Sequence, residues 1–204
     1  KAWTSEDMLA MSFLDFDYGS WYRVAADGDS AGHVHACVYD GHFGYLKYVT
    51  DATGSWTAEE IDTNWEPQSC ALKVDKQDVV HVVYLKEPSY SSAYAIRYGT
   101  NDGGGWEFEN VLPPAENMGW YLSMALDSED RPHLLFAVPT AGNTLKLVHA
   151  VRDGGEWVFE DVLPNLNQSI WEYPSLQIDT AGAAHVAMMA RIDASTAMVP
   201  VILS

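Results

Sequence analysis

The chain has 204 residues, 48% of them apolar, and carries 29 Asp and Glu against 11 Lys and Arg for a formal charge of −18. That apolar share suits a single domain with one good core, and no run approaches the roughly 20 apolar residues of a membrane helix. So acidic a surface repels phosphate backbones and anionic lipid, so neither nucleic acid nor membrane insertion is expected.

The first recognisable element, "WTSEDML" from residue 3, is also the last element of each later unit: "WTAEEID" at 56–62, "WEFENVL" at 106–112 and "WVFEDVL" at 157–163. The opening Trp falls at 3, 56, 106 and 157, in steps of 53, 50 and 51. Interleaved with it runs D-x-x-[DG]-x-x-H: "DSAGHVH" at 29–35, "DKQDVVH" at 75–81, "DSEDRPH" at 127–133 and "DTAGAAH" at 179–185. Each repeat of about 51 residues therefore holds one of each, and the repeats run approximately 20–66, 67–119, 120–171, and 172–204 plus 1–9. Within a unit the apolar residues alternate with period two, the pattern of a half-buried strand. In the third unit the predicted strands are 121–127, 133–138, 144–151 and 157–163, with "RDGGE" as the tip of the last hairpin. No segment carries a capped helical stripe.

Tandem four-stranded units of this length predict an all-β fold, a β-propeller of four four-stranded blades in a single domain over 1–204. The last unit supplies only "SLQID", "AHVAMMA" and "AMVPVILS". Its missing fourth strand is expected from the N-terminal "WTSEDML", closing the ring without a loose edge. Taking Tyr48, Tyr98, His149 and Val199 as equivalents puts the junction of the two termini at the tip of the last hairpin. Pro200 then sits in a strand paired on both sides, a local conflict. The competing organisation is a larger ring, built from two chains or from a longer one. Cys37 and Cys70 show no metal-ligand spacing, and one disulfide or two buried thiols fit equally well.

The run "MALDSEDRPHLLFAV…LKLVHAVRDGGEWVFEDVL" resembles the repeats of bacterial sialidase-like, Asp-box propellers, and the likeness extends over all four units. The turns "TDATGSW", "TNDGGGW" and "VRDGGEW" hold Asp, Gly and Trp as Asp boxes do, with a spacing that departs from S/T-x-D-x-G-x-x-W. The resemblance implies architecture and not sialidase chemistry. That chemistry needs three converging arginines, and Arg23, Arg97, Arg131, Arg152 and Arg191 fall on different parts of the repeat.

The repeated His35, His81, His133 and His185 invite a metal reading. Repetition in every unit instead marks a folding element, an imidazole bonded to the turn or a neighbouring blade. Asp29, Asp75, Asp127 and Asp179 read likewise as turn formers, and Trp3, Trp56, Trp106 and Trp157 as structural. No metal and no cofactor is expected.

A second series, Trp21, Trp65, Trp120 and Trp171, stands where the fourth strand of one unit crosses to the first strand of the next. With Tyr22, Tyr121, Tyr173, Glu66 and Glu172 it would form an aromatic floor with polar rims at the channel mouth, a surface that stacks sugar rings. The opposing reading makes these Trp packing between blades. The variable loops between second and third strands add His42, Phe43, Tyr90, Tyr94, Arg191 and Asp193 as candidates. The expected function is a non-catalytic binding module for carbohydrate or another small polar ligand. A scaffold for a protein partner, with self-association open, comes second. A glycoside hydrolase or lyase with Glu66 and Glu172 as acid and base comes third, and needs carboxyls about 5–9.5 Å apart. The acidity, the absence of an initiator Met and the resemblance together suggest an exported or cell-surface bacterial setting.

Overall fold

The computed structural model describes residues 24–40, 45–62, 67–86, 93–102, 104–116, 122–140, 144–166, 174–190 and 199–203. These residues are all β, and each sheet is built from strands consecutive in sequence. The first sheet is β1 (Val24–Gly28), β2 (Val34–Asp40), β3 (Tyr45–Thr50) and β4 (Thr57–Asp62). The second is β5 (Pro67–Val74), β6 (Val80–Lys86), β7 (Ala93–Asn101) and β8 (Trp106–Glu116). The third is β9 (Leu122–Leu126), β10 (Pro132–Thr140), β11 (Thr144–Asp153) and β12 (Glu156–Leu166). The last has three described strands, β13 (Ser175–Ile178), β14 (Ala184–Ala190) and β15 (Val199–Leu203). All pairs are antiparallel, as short hairpins demand.

The sheets pack face to face in chain order, β1 and β2 on β5, β5 on β9, and β9 on β13. The second sheet therefore lies between neighbours on both faces, which is why "VHVVYL" in β6 is buried throughout instead of alternating. Three apolar layers fill the junctions. The first joins Cys37, Leu46 and Tyr48 to Cys70, Leu72, Val82 and Tyr84. The second joins Val83, Leu85, Ile96 and Val111 to Met124, Leu134 and Phe136. The third joins Leu135 and Leu147 to Leu176, Val186 and Met188. Each fully buried Leu or Phe here contributes about 1.5–3 kcal/mol. Gly99 is required by one close approach: a Cβ there would lie 2.4 Å from the Phe108 ring.

The cysteines form a disulfide, Cα atoms 6.5 Å apart, that ties β2 of the first sheet to β5 of the second. Of the two states compatible with the sequence, the structure adopts the bridge.

Pairing corrects one sequence equivalence. Tyr48 lies opposite Cys37, Tyr98 opposite Val83 and His149 opposite Leu135, in each case the residue two after the repeated His. In the last sheet Ala187 holds that place, and its partner is Ile202, not Val199. The eight-residue connection 191–198 displaces the strand by three positions, and an odd slip exchanges its faces. Among the described residues β15 is an edge strand, where Pro200 opposite Met189 is tolerated. The strand expected from residues 1–9 lies outside the described residues.

Candidate functional site

The repeated Asp organises each first hairpin. In the third sheet, Asp127 Oδ1 accepts from the backbone N–H of Glu129 and Arg131, while Oδ2 accepts from Arg131 Nε at 2.8 Å and lies 3.2 Å from His133 Nε2. The same Oδ2–Nε2 pairing joins Asp29 to His35 (3.3 Å), Asp75 to His81 (3.2 Å) and Asp179 to His185 (2.9 Å). With Nε2–H donating to the carboxylate, Nδ1 accepts from the third strand. The donor is Tyr48 for His35, and Tyr98 at 2.5 Å for His81. In the third sheet it is another imidazole, His149 Nε2, 2.9 Å from His133 Nδ1. The repeated histidines thus serve their own sheet, through the turn carboxylate.

The Tyr residues extend this chain into the next sheet. Trp106 of β8 meets Tyr48 of the first sheet edge-on, centroids 5.2 Å apart, and donates its indole N–H to Glu59 at 2.8 Å. Trp157 of β12 repeats this on the second sheet, with Tyr98 at 5.3 Å and Glu109 at 2.9 Å. The cause is strand parity. In W-x-x-E the two residues are three apart, an odd number, so they point to opposite faces. Trp reaches back to the preceding sheet, and Glu reaches forward to the following one. β8 is thus a two-sided connector, through Trp106 on one face and Glu109 on the other.

At the second of these junctions the connector opens into a cleft of about 140 Å³, lined by Tyr98, Thr100, Glu107, Phe108, Glu109 and Arg152. Arg152 of β11 reaches across with Nε 2.8 Å from Glu109 Oε1, so one carboxylate oxygen holds both the guanidinium and the Trp157 indole. The Arg152 guanidinium also stands 5.9 Å from the Tyr98 ring centroid. The Glu109 contact raises its already high pKa, outweighing burial. Burial pushes the Tyr98 phenol above its ordinary value against the pull of Arg152, so it stays a neutral hydroxyl. Glu109 and Arg152 remain more than a third exposed. The wall thus offers a carboxylate acceptor, a guanidinium donor, a threonine hydroxyl and aromatic faces, in a space well under the roughly 300–1,000 Å³ of drug-sized sites. At the first junction, Asn101 stands where Arg152 does here and Ala58 where Phe108 does. Among the described residues the combination occurs at one junction.

All nine sequence-predicted ligand residues lie outside the described residues: Trp21, Tyr22, Trp65, Glu66, Trp120, Tyr121, Trp171, Glu172 and Tyr173. So do His42, Phe43, Tyr90, Arg191 and Asp193, while Tyr94 is a residue of β7. Trp65 and Glu66 fall between β4 and β5, Trp120 and Tyr121 between β8 and β9, and Trp171, Glu172 and Tyr173 between β12 and β13, the connections expected for them. Sequence reasoning missed Glu109 and Arg152. The available signal was the Glu of W-x-x-E, present in all four units.

No family model matches the sequence, and no curated protein does. Among solved structures, the chain is similar to AofleA from Arthrobotrys oligospora, with a TM-score of 0.59 and 12% identity over 90% of this chain and 53% of that one. An arginine-to-alanine triple mutant of AofleA aligns with a TM-score of 0.58 and 11% identity over the same shares. A fucose lectin from Kordia zhangzhouensis in complex with methyl-fucoside gives a looser likeness, with a TM-score of 0.46 and 16% identity over 68% of this chain and 97% of that one. The chain spans about half the length of AofleA, and at this identity the likeness is one of fold.

Proposed function

We propose that the chain is a non-catalytic, lectin-like propeller module that holds a sugar in the cleft between its second and third sheets. The observation that carries this reading is the meeting of Arg152 and Glu109 beside Tyr98 around an opening of about 140 Å³, with Trp157 holding Glu109 in place. A sugar presents hydroxyls that both donate and accept, and an apolar ring face. A carboxylate beside a guanidinium satisfies the first, and the aromatic residues of the lining, Tyr98 and Phe108, suit the second. The size suits one sugar ring better than a drug-sized ligand.

The reading has an architectural part: four blades, the last completed by the N-terminal strand. The aromatic floor of Trp21, Trp65, Trp120 and Trp171, with Tyr22, Tyr121, Tyr173, Glu66 and Glu172, is the alternative place for the sugar. An exported setting suits a chain with an inter-sheet disulfide, since such bonds persist in oxidising compartments.

The test is a titration of neutral monosaccharides followed by tryptophan fluorescence, on the unaltered chain, Glu109→Gln and Arg152→Met. A saturable change that both substitutions abolish, with melting temperature retained, supports the cleft. A change that survives both but vanishes in Trp120→Ala moves the site to the aromatic floor. Silence across the panel leaves the protein-scaffold reading.

A further inference from the structure

At the first junction, away from the Trp–Glu connector, a carboxylate stands between two cations. Asp62, at the end of β4, accepts from Lys86 Nζ at 2.9 and 2.7 Å and from the Tyr84 hydroxyl at 2.5 Å. Its Oδ2 is also 3.4 Å from Arg97 Nη1. The side chains of Asp62 and Lys86 are only 9% and 13% exposed, and that of Arg97 25%. Among the described residues two positive charges thus face one negative charge in a half-dry place, within a protein of net charge −18.

The cluster is not a repeat element. By pairing register, the counterparts of Asp62 are Leu112 and Leu163, and that of Tyr84 in the third sheet is Phe136. The other junctions close with apolar side chains, and a buried ion pair in their place brings little stability of its own. One donor is also left over: Arg97 Nε is buried and has no hydrogen-bond partner. A guanidinium presents its N–H groups as two-point edges. Asp62 engages the Nη1 side. The plane is supported by the Phe108 ring, whose centroid is 5.1 Å from Arg97 Cζ. No acceptor meets the buried Nε on the other edge.

We propose that the Arg97–Lys86–Asp62 cluster is a binding site for the carboxylate of an acidic ligand, an acidic sugar such as a uronic acid being the source that fits the lectin reading on which this choice rests. A planar carboxylate matches the guanidinium edge whose Nε has no hydrogen-bond partner. Asp62 holds the two cations in place when the site is empty and repels a second anion.

The experiment titrates sodium galacturonate, galactose and sodium acetate into the whole chain, Arg97→Lys and Glu109→Gln, with thermal melts of each. Arg97→Lys keeps the charge toward Asp62 and the fold but has no two-point edge. The expected result is that it weakens galacturonate at least about tenfold, while Glu109→Gln leaves part of the galacturonate binding intact. Acetate binding as tightly as galacturonate, with the same loss in Arg97→Lys, keeps the site and makes its ligand a free carboxylate. Galacturonate and galactose binding equally, both unaffected by Arg97→Lys and both lost in Glu109→Gln, overturns this site and leaves the sugar cleft standing. Loss of all binding in the unaltered chain overturns both.

Discussion

Trp157 and Glu109 are 48 residues apart and on different sheets, yet the indole N–H of one lies 2.9 Å from a carboxylate oxygen of the other. Trp106 and Glu59 repeat the relationship one sheet earlier, 47 residues apart. Trp157→Phe keeps the ring against Tyr98 and removes the donor to a charged acceptor. It is expected to cost about 1–2 kcal/mol, the site being partly exposed. A double-mutant cycle with Glu109→Gln, read by urea unfolding, should give a coupling of about 0.5–1.5 kcal/mol. A coupling near zero would reduce the contact to ring packing alone.

The Cys37–Cys70 bridge closes a separation of 33 residues. The chain-entropy account puts its contribution at about 3–4 kcal/mol. Thiol titration of the unfolded, unreduced protein should find no free thiol. Reduction should lower the urea midpoint by a corresponding amount, and the Cys37→Ser/Cys70→Ser double variant should melt like the reduced protein. Two titratable thiols would refute the bridge.

Acid should weaken the fold in two stages. Burial lowers the His81 pKa, against the pull of Asp75, and lowers that of His149 with help from His133. Because the folded values lie below the unfolded 6.5, the unfolded chain binds these protons first, and stability declines as pH falls through about 6.5. Asp127 shifts the other way from its burial. The backbone N–H groups of Arg131 and Glu129, with Arg131 and His133, outweigh it and bring the pKa to about 2. Its stabilisation is complete above about 4, the unfolded value, and is lost as pH falls toward about 2. Thermal melts across pH should show a shallow decline and then a steep one. His149→Tyr, which restores the partner found in the first two sheets, should flatten the shallow stage. An unchanged profile would remove His149 from it.

Asp78 and Asp130 occupy the left-handed backbone region, with φ of 62° and 61°, where the first and last hairpins use Gly32 and Gly182. Asp78 uses the position to bond the preceding hairpin, accepting from Ser30 N at 2.7 Å and Ser30 Oγ at 2.6 Å. Asp78→Ala loses these bonds and keeps the backbone cost, for an expected loss of about 1–2 kcal/mol. Asp78→Gly relieves the backbone and should be milder by up to about 1 kcal/mol. Equal losses would mean that only the Ser30 contact matters.

The repeat, its four strands and the roles of the turn Asp and repeated His were legible because each depends on residues close in sequence. The joins between units were less so. That Glu109 meets Trp157 follows from strand parity once sheets are stacked, but that stacking is a tertiary fact. Cys37 and Cys70 likewise carry no spacing that announces a partner. Val199 was matched in place of Ile202 because it stands as far before Trp3, with the two termini joined, as Tyr48, Tyr98 and His149 stand before Trp56, Trp106 and Trp157; by pairing, the interval from His185 to Ile202 is 17, as from His81 to Tyr98. The Asp62 cluster escaped notice because a lone Asp at a strand end looks like any other acidic residue in so acidic a chain.

The disulfide also gives the array a direction. Among the described residues each sheet packs on its sequence neighbours, and the first two are welded and must leave together. At the other end, the last sheet carries Ile202 at 79% exposure and no such weld among the described residues. Under force, heat or protease, the two welded sheets are thereby expected to hold together longest.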